Sequence, residues 1–252
     1  MLNLIEHGRK TGRPDLLIAH GLYGSARNWG VIAKRLSEDR RVIAVDMRNH
    51  GDSPWEDSHG YPEMASDLAQ VIAAQDGPVD VMGHSMGGKA AMVLALTEPE
   101  RVNRLIVADI APVAYTHSQL PYIEAMKSVD LSGVERRSDA APLLEAAVDN
   151  PALVPFFLQS LDVEGQRWRL NLDVLAREMP RIMGFPEMTG AYEGPTLFLS
   201  GATSDYVRRE DRDRIKALFP KARFMSIPGA GHWLHAEKPR EFEAAVRGWL
   251  ER

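Results

Sequence analysis

The 252-residue sequence contains no cysteine, which excludes a disulfide frame, a thiolate metal site and a cysteine nucleophile. That absence suits a reducing compartment. No apolar run approaches the roughly 18 residues that a spanning helix needs. The start, MLNLIEHGRK, lacks both a long apolar core and a small-residue cleavage pattern, so no secretory signal is expected and the cytoplasm is the expected location. A Lys/Arg stripe interleaved with aromatics is missing too. Arg208, Arg209, Arg212 and Arg214 are interrupted by Glu210, Asp211 and Asp213, as on a solvated helix face. With 30 basic against 35 acidic residues and a formal charge of −5, nothing favours nucleic acid as a partner. No metal-ligand spacing is present, so neither metal nor organic cofactor is expected. What remains is an ordinary globular composition, 44% hydrophobic and 26% charged, long enough for one α/β domain with an insertion.

The chain is organised around Val79 to Met92, VDVMGHSMGGKAAM. A short apolar strand runs into Gly83-His84-Ser85-Met86-Gly87, and a helix of small residues, Gly88 to Leu96, follows. This G-x-S-x-G form is that of a nucleophile elbow, which holds its central serine in a strained backbone above the sheet. Any side chain at the two flanking glycines would collide with the neighbouring strand or helix. In a chain with 20 glycines the pattern alone is weak; its weight comes from the strand before it, the helix after it and the partners further on.

Other strands are expected at Leu2 to Glu6, Asp15 to Ala19, Arg41 to Val45 and Val102 to Ala108. Ser25 is expected to cap a helix reaching Leu36, with Trp29, Ile32, Ala33 and Leu36 inward, and Tyr61 to Ala74 forms another. Strands apolar on both faces and alternating with helices predict a mostly parallel central sheet covered on two sides. Ligand sites in such sheets lie outside the carboxyl ends of strands, where His20, Ser85 and Asp109 fall. From Pro112 to Glu193 the alternation stops, and short proline-punctuated helices predict a cap inserted over the site. The expected division is core over 1–111, cap over 112–193 and core again over 194–252. Phe156, Phe157, Leu158 and Trp168 of the cap either pack its interior or line an acyl pocket. The sheet resumes at Thr196 to Gly201 and ends with Arg223 to Ile227, and Pro239 opens a closing helix.

A serine hydroxyl needs a base within hydrogen-bond reach. Among eight histidines, His232 is the expected base, since it follows the last strand in the small-residue loop Pro228-Gly229-Ala230-Gly231. His235 is expected at the surface or behind the site, and His20 and His84 are expected to serve tight turns. A carboxylate must orient the imidazole, in the order Ser…Asp…His. Asp109 and Asp205 both qualify; Asp205 stands one place later than the commoner acid position, which Ser204 occupies here, so Asp109 is preferred. The main-chain N–H groups of Leu22 and Met86 are the expected oxyanion donors.

The H-G-x-x-G loop at His20, the elbow, the cap and the late G-x-G-H over Gly229 to His232 resemble the α/β-hydrolase superfamily along essentially the whole chain. More narrowly, Asp46-x-Arg48-Asn49-His50-Gly51-x-Ser53, the elbow through Lys89, Asp109-Ile110-Ala111-Pro112 and Ser204-Asp205-Tyr206-Val207 resemble one group. It holds the bacterial YbfF-type esterases and mammalian α/β-hydrolase-domain-containing protein 11. The resemblance implies a carboxylesterase, with thioesters among its substrates, and an acid following the strand after the elbow, at Asp109. The expected activity is hydrolysis of small carboxylic esters or thioesters of short to medium acyl chains through an acyl-enzyme on Ser85. A C–C bond hydrolase, a lactonase and a perhydrolase use the same constellation, and a slow-turnover ligand receptor or a structural protein are the non-enzyme alternatives. Oligomeric state stays open, a homodimer included.

Overall fold

The computed structural model describes residues 1–251. Seven strands form one sheet: β1 (Leu4–His7), β2 (Leu16–Ala19), β3 (Val42–Val45), β4 (Val79–His84), β5 (Val102–Ala108), and, beyond a two-strand hairpin described below, β8 (Thr196–Gly201) and β9 (Ala222–Ile227). Their order is β1-β3-β2-β4-β5-β8-β9. Every pairing is parallel except that of β1, which lies antiparallel on β3 at one edge. Because side chains alternate across a strand, each strand feeds two cores. Leu17, Ile43, Val81, Leu105 and Phe198 pack on one face with the helices Tyr61–Ala73 and Met86–Thr97. Leu16, Val42, Met82, Ile106 and Leu197 pack on the other with Trp29, Ile32 and the closing helix Pro239–Leu250. Asp80 is buried inside β4, where its carboxylate pairs with Arg40 at 3.0 Å and accepts from Asn103 Nδ2 at 2.6 Å.

The helix expected from Ser25 begins instead with a 3-10 turn, Ala26–Trp29, before Gly30–Leu36. Ser25 is the N-cap of that turn, and Asn28 closes the capping box, its Oδ1 accepting the Ser25 N–H at 2.6 Å.

Between β5 and β8 run the helices Leu120–Ser128, Arg137–Glu145, Val154–Phe157, Leu172–Arg177 and Met179–Met183. Two-residue strands β6 (Leu161–Asp162) and β7 (Arg167–Trp168) form a hairpin among them that the sequence pattern does not show. Leu144 packs inside while Leu143 is exposed. The Asp46 to Ser53 loop anchors this segment: Gly51 N–H donates to Arg169 O at 2.8 Å and Asn171 N–H to Asn49 O at 3.0 Å. No helix among the described residues is long and apolar enough to cross a membrane.

Candidate active site

Register brings the chemistry to one level. Ala19 pairs with Gly83, His84 with Ala108, and Ala108 with Leu199, so the residues that follow each of these strands emerge together. Ser85 N–H donates to Ala108 O at 3.0 Å and Asp109 N–H to Leu199 O at 2.9 Å, extending the ladder by one residue at each end. There the backbone turns sharply. Ser85 has φ 51° and Asp109 φ 54°, left-handed values that cost a non-glycine residue on the order of 1–2 kcal/mol. The elbow glycines permit this. A Cβ on Gly83 would stand 2.2 Å from Gly87 O, and one on Gly87 would stand 2.4 Å from Ala19 O.

The structure brings Ser85, His232 and Asp109 together. His232 Nε2 lies 3.1 Å from Ser85 Oγ, and His232 Nδ1 donates to Asp109 Oδ2 at 2.7 Å. Asp109 is wholly buried (0% exposed) and accepts two further bonds, from Gly201 N–H at 2.9 Å and from Ser204 Oγ at 2.5 Å. Asp205 is not part of the group. It is exposed on the same loop, and its carbonyl accepts from Arg208 Nε at 3.2 Å. The position that holds the acid in the commoner arrangement thus carries a hydroxyl, Ser204, which donates to Asp109 at the end of the neighbouring strand. Tyr206 stacks on the His232 ring, centroids 4.0 Å apart at 24°, and its carbonyl accepts from Tyr115 Oη at 2.7 Å. Neither contact was readable from the sequence beyond the proximity of both residues to Gly201.

Three of the remaining histidines, His20, His50 and His84, hold backbone. His20 Nε2 accepts from Met47 N–H at 2.9 Å, so its proton sits on Nδ1 and goes to Gly21 O at 2.8 Å. His50 Nε2 accepts from Tyr23 N–H at 3.2 Å, fixing the loop that carries Leu22. His84 Nε2 lies 2.8 Å from His232 O and anchors the loop that carries His232. His235 is half-buried at the cavity wall, stacked on Trp29 at 4.2 Å and 14°. Burial keeps these rings neutral. It pushes His59 and His235 down to about 3, the first with help from Arg48 and His20 and the second from His232, and it holds His50 and His84 well below the ordinary value.

The sign of the pH effect follows. Below 6.5 the unfolded chain binds protons that these native rings refuse, so stability is lost as pH falls from about 6.5 towards 3. Thermal midpoints at pH 7, 6 and 5 are expected to fall stepwise. A flat series would show that the rings are not held neutral.

Ser85 and His232 open onto a cavity of about 290 Å³. Leu22 and Met86 are on its wall, and the Met86 N–H is the first of its helix, among those that helix geometry leaves without an intrahelical acceptor. Of the four apolar residues singled out between β5 and β8, Phe156 and Phe157 line the cavity. Leu158 and Trp168 are buried away from it, Trp168 Nε1 donating to Met126 O at 2.8 Å. A hydroxyl, a base that can take its proton, a buried carboxylate behind that base and a partly apolar cavity are the parts of acyl transfer.

This fold and site define an α/β hydrolase. Residues 16–245 match the model of the alpha/beta hydrolase family, and the chain belongs to it. Over 249 residues it is 43% identical to the sn-1-specific diacylglycerol lipase ABHD11 of Mus musculus, covering 94% of this chain and 81% of that one. Esterase YbfF of Escherichia coli (strain K12) is 41% identical over 93% of this chain and 92% of its own length. A solved marine microorganism esterase superposes with a TM-score of 0.92 at 39% identity, covering 98% of each chain. The protein is accordingly a hydrolase of the esterase and lipase type.

Proposed function

We propose that the protein is a serine hydrolase that cleaves carboxylic esters or thioesters of short to medium acyl chains through an acyl-enzyme on Ser85. The observation that carries this reading is the continuous Asp109–His232–Ser85 hydrogen-bond chain, with contacts of 2.7 and 3.1 Å, at the wall of the cavity. His232 Nε2 takes the hydroxyl proton as Ser85 Oγ attacks the ester carbonyl. Asp109 holds the imidazole with its other proton on Nδ1 and stabilises the imidazolium. The N–H groups of Leu22 and Met86 receive the oxyanion. The imidazolium then protonates the departing alcohol or thiol, leaving an acyl ester on Ser85. Water, deprotonated by the same nitrogen, releases the acid. Tyr122, Leu153, Phe156, Phe157 and Trp233 give the cavity an apolar end for the chain. Segment 112–193 supplies four of these residues and acts as the cap.

The test is turnover of p-nitrophenyl acetate, butyrate, octanoate and palmitate, with mass spectrometry of enzyme quenched during the reaction. Turnover peaking below octanoate and an acyl adduct on Ser85 are expected. Inactivity towards the whole series would remove the esterase reading, and hydrolysis without an adduct would remove the covalent step.

A further inference from the structure

No Asp or Glu lines the cavity among the described residues, and one lining side chain, Lys89, is basic. It lies one helical turn past the nucleophile, its N–H donating to Ser85 O at 3.1 Å, which puts the two Cα atoms about 6 Å apart. The residue is 1% exposed. Its ammonium donates to Met183 O at 3.1 Å and Gly184 O at 2.5 Å, and it stands 4.7 Å from the Tyr115 ring centroid and 5.6 Å from that of Tyr61. It forms no salt bridge among the described residues; burial alone pushes it down to about 7.

An ammonium has three N–H donors, and the two carbonyls leave one. A latch between the helix and the chain at Met183 and Gly184 accounts for those two bonds, but a neutral donor would serve a latch equally well. The ammonium has two carbonyls and two tyrosine faces but no carboxylate opposite it, and burying a charge without a counter-charge is costly. In a chain with a formal charge of −5, an acid-free cavity holding one buried cation is complementary to an anion.

We propose that the cavity takes an ester bearing a negatively charged group, a carboxylate or a phosphate, and that Lys89 binds that group. This rests on the esterase reading. The apolar body of the substrate lies towards Phe156, Phe157 and Trp233, and its anion lies among Lys89, Tyr61 and Tyr115. The anion belongs either to the acyl chain or to the leaving group; the shared requirement is one negative charge within reach of the ammonium.

Two matched pairs test it in the wild-type protein. On the acyl side, the p-nitrophenyl half-ester of glutarate is compared with p-nitrophenyl valerate; on the alcohol side, 4-acetoxybenzoate is compared with phenyl acetate. The anionic member of at least one pair is expected to have a KM about tenfold lower or better. Whichever pair shows the preference places the anion. Lys89→Met is expected to bring the ratio close to one and Lys89→Arg to restore most of it, with thermal unfolding checking that each variant folds. Equal or better use of both neutral members by the wild type would overturn the proposal without depending on any variant. So would a preference that survives in folded Lys89→Met. Turnover of the neutral esters alone leaves the esterase reading standing, whereas failure on all four substrates sinks both.

Discussion

Ser85→Ala is expected to lower kcat for p-nitrophenyl butyrate by about 10^4- to 10^6-fold, because a triad acts as a unit and little of its effect survives loss of the nucleophile. The fold should be indifferent to the change. Ser85 Oγ has one partner, His232 Nε2 at 3.1 Å, and that nitrogen faces the open cavity, where water can replace the hydroxyl. The backbone strain at φ 51° is the same for alanine as for serine. The unfolding midpoint of the variant is therefore expected within a few degrees of wild type. Steady-state rates and a thermal melt on one preparation check both halves. Residual activity above about 1% would show that Ser85 is not the attacking atom.

Asp109→Asn should cost about 10^4-fold in kcat, and Asp205→Asn less than about twofold. The reason lies in what surrounds the buried carboxylate. Three donors converge on it: Gly201 N–H on Oδ1, and the Ser204 hydroxyl and His232 Nδ1 on Oδ2. An asparagine has one acceptor oxygen and one NH2 group. If the NH2 faces Gly201, two donors oppose each other in a site without water access. If it faces His232, the imidazole must move its proton to Nε2 and can no longer accept from Ser85. The second orientation removes the base, the first buries two facing donors and withdraws the negative charge that stabilises the imidazolium, and neither changes the side-chain volume. Asp205 has no such task, since its carboxylate lies in solvent. The two variants assayed side by side decide between the carboxylates. Loss of activity in Asp205→Asn with Asp109→Asn intact would reverse the assignment.

The motif around Asp46 to Ser53, which carries part of the family resemblance, proves to be scaffolding. Asp46 accepts from Ala26 N–H at 2.7 Å and from Asp52 N–H at 2.9 Å, and the Ser53 hydroxyl donates to Asp46 O at 2.5 Å. His50 then passes this rigidity to Tyr23, next to the expected oxyanion donor Leu22. Residues one step from the chemistry can thus be as motif-bound as those that perform it, because a misplaced amide donor loses the oxyanion.

By itself the sequence determined the elbow, the strand pattern and the choice of Ser85 and His232 as candidates, which the structure places 3.1 Å apart. Each is a local property: the G-x-S-x-G turn, apolar runs of strand length, and a small-residue loop with one histidine at its end all depend on neighbours in the chain. The tertiary structure decided which carboxylate meets His232. Asp109 and Asp205 both follow strands, and their side-chain directions depend on a left-handed φ of 54° at one and on the path of a loop at the other. It also decided that Ser204, Tyr206 and Lys89 belong to the site. Their partners are distant in sequence, and the burial that strips the Lys89 ammonium of water exists only once the helix, the chain at Met183 and Gly184 and two tyrosine rings have closed around it.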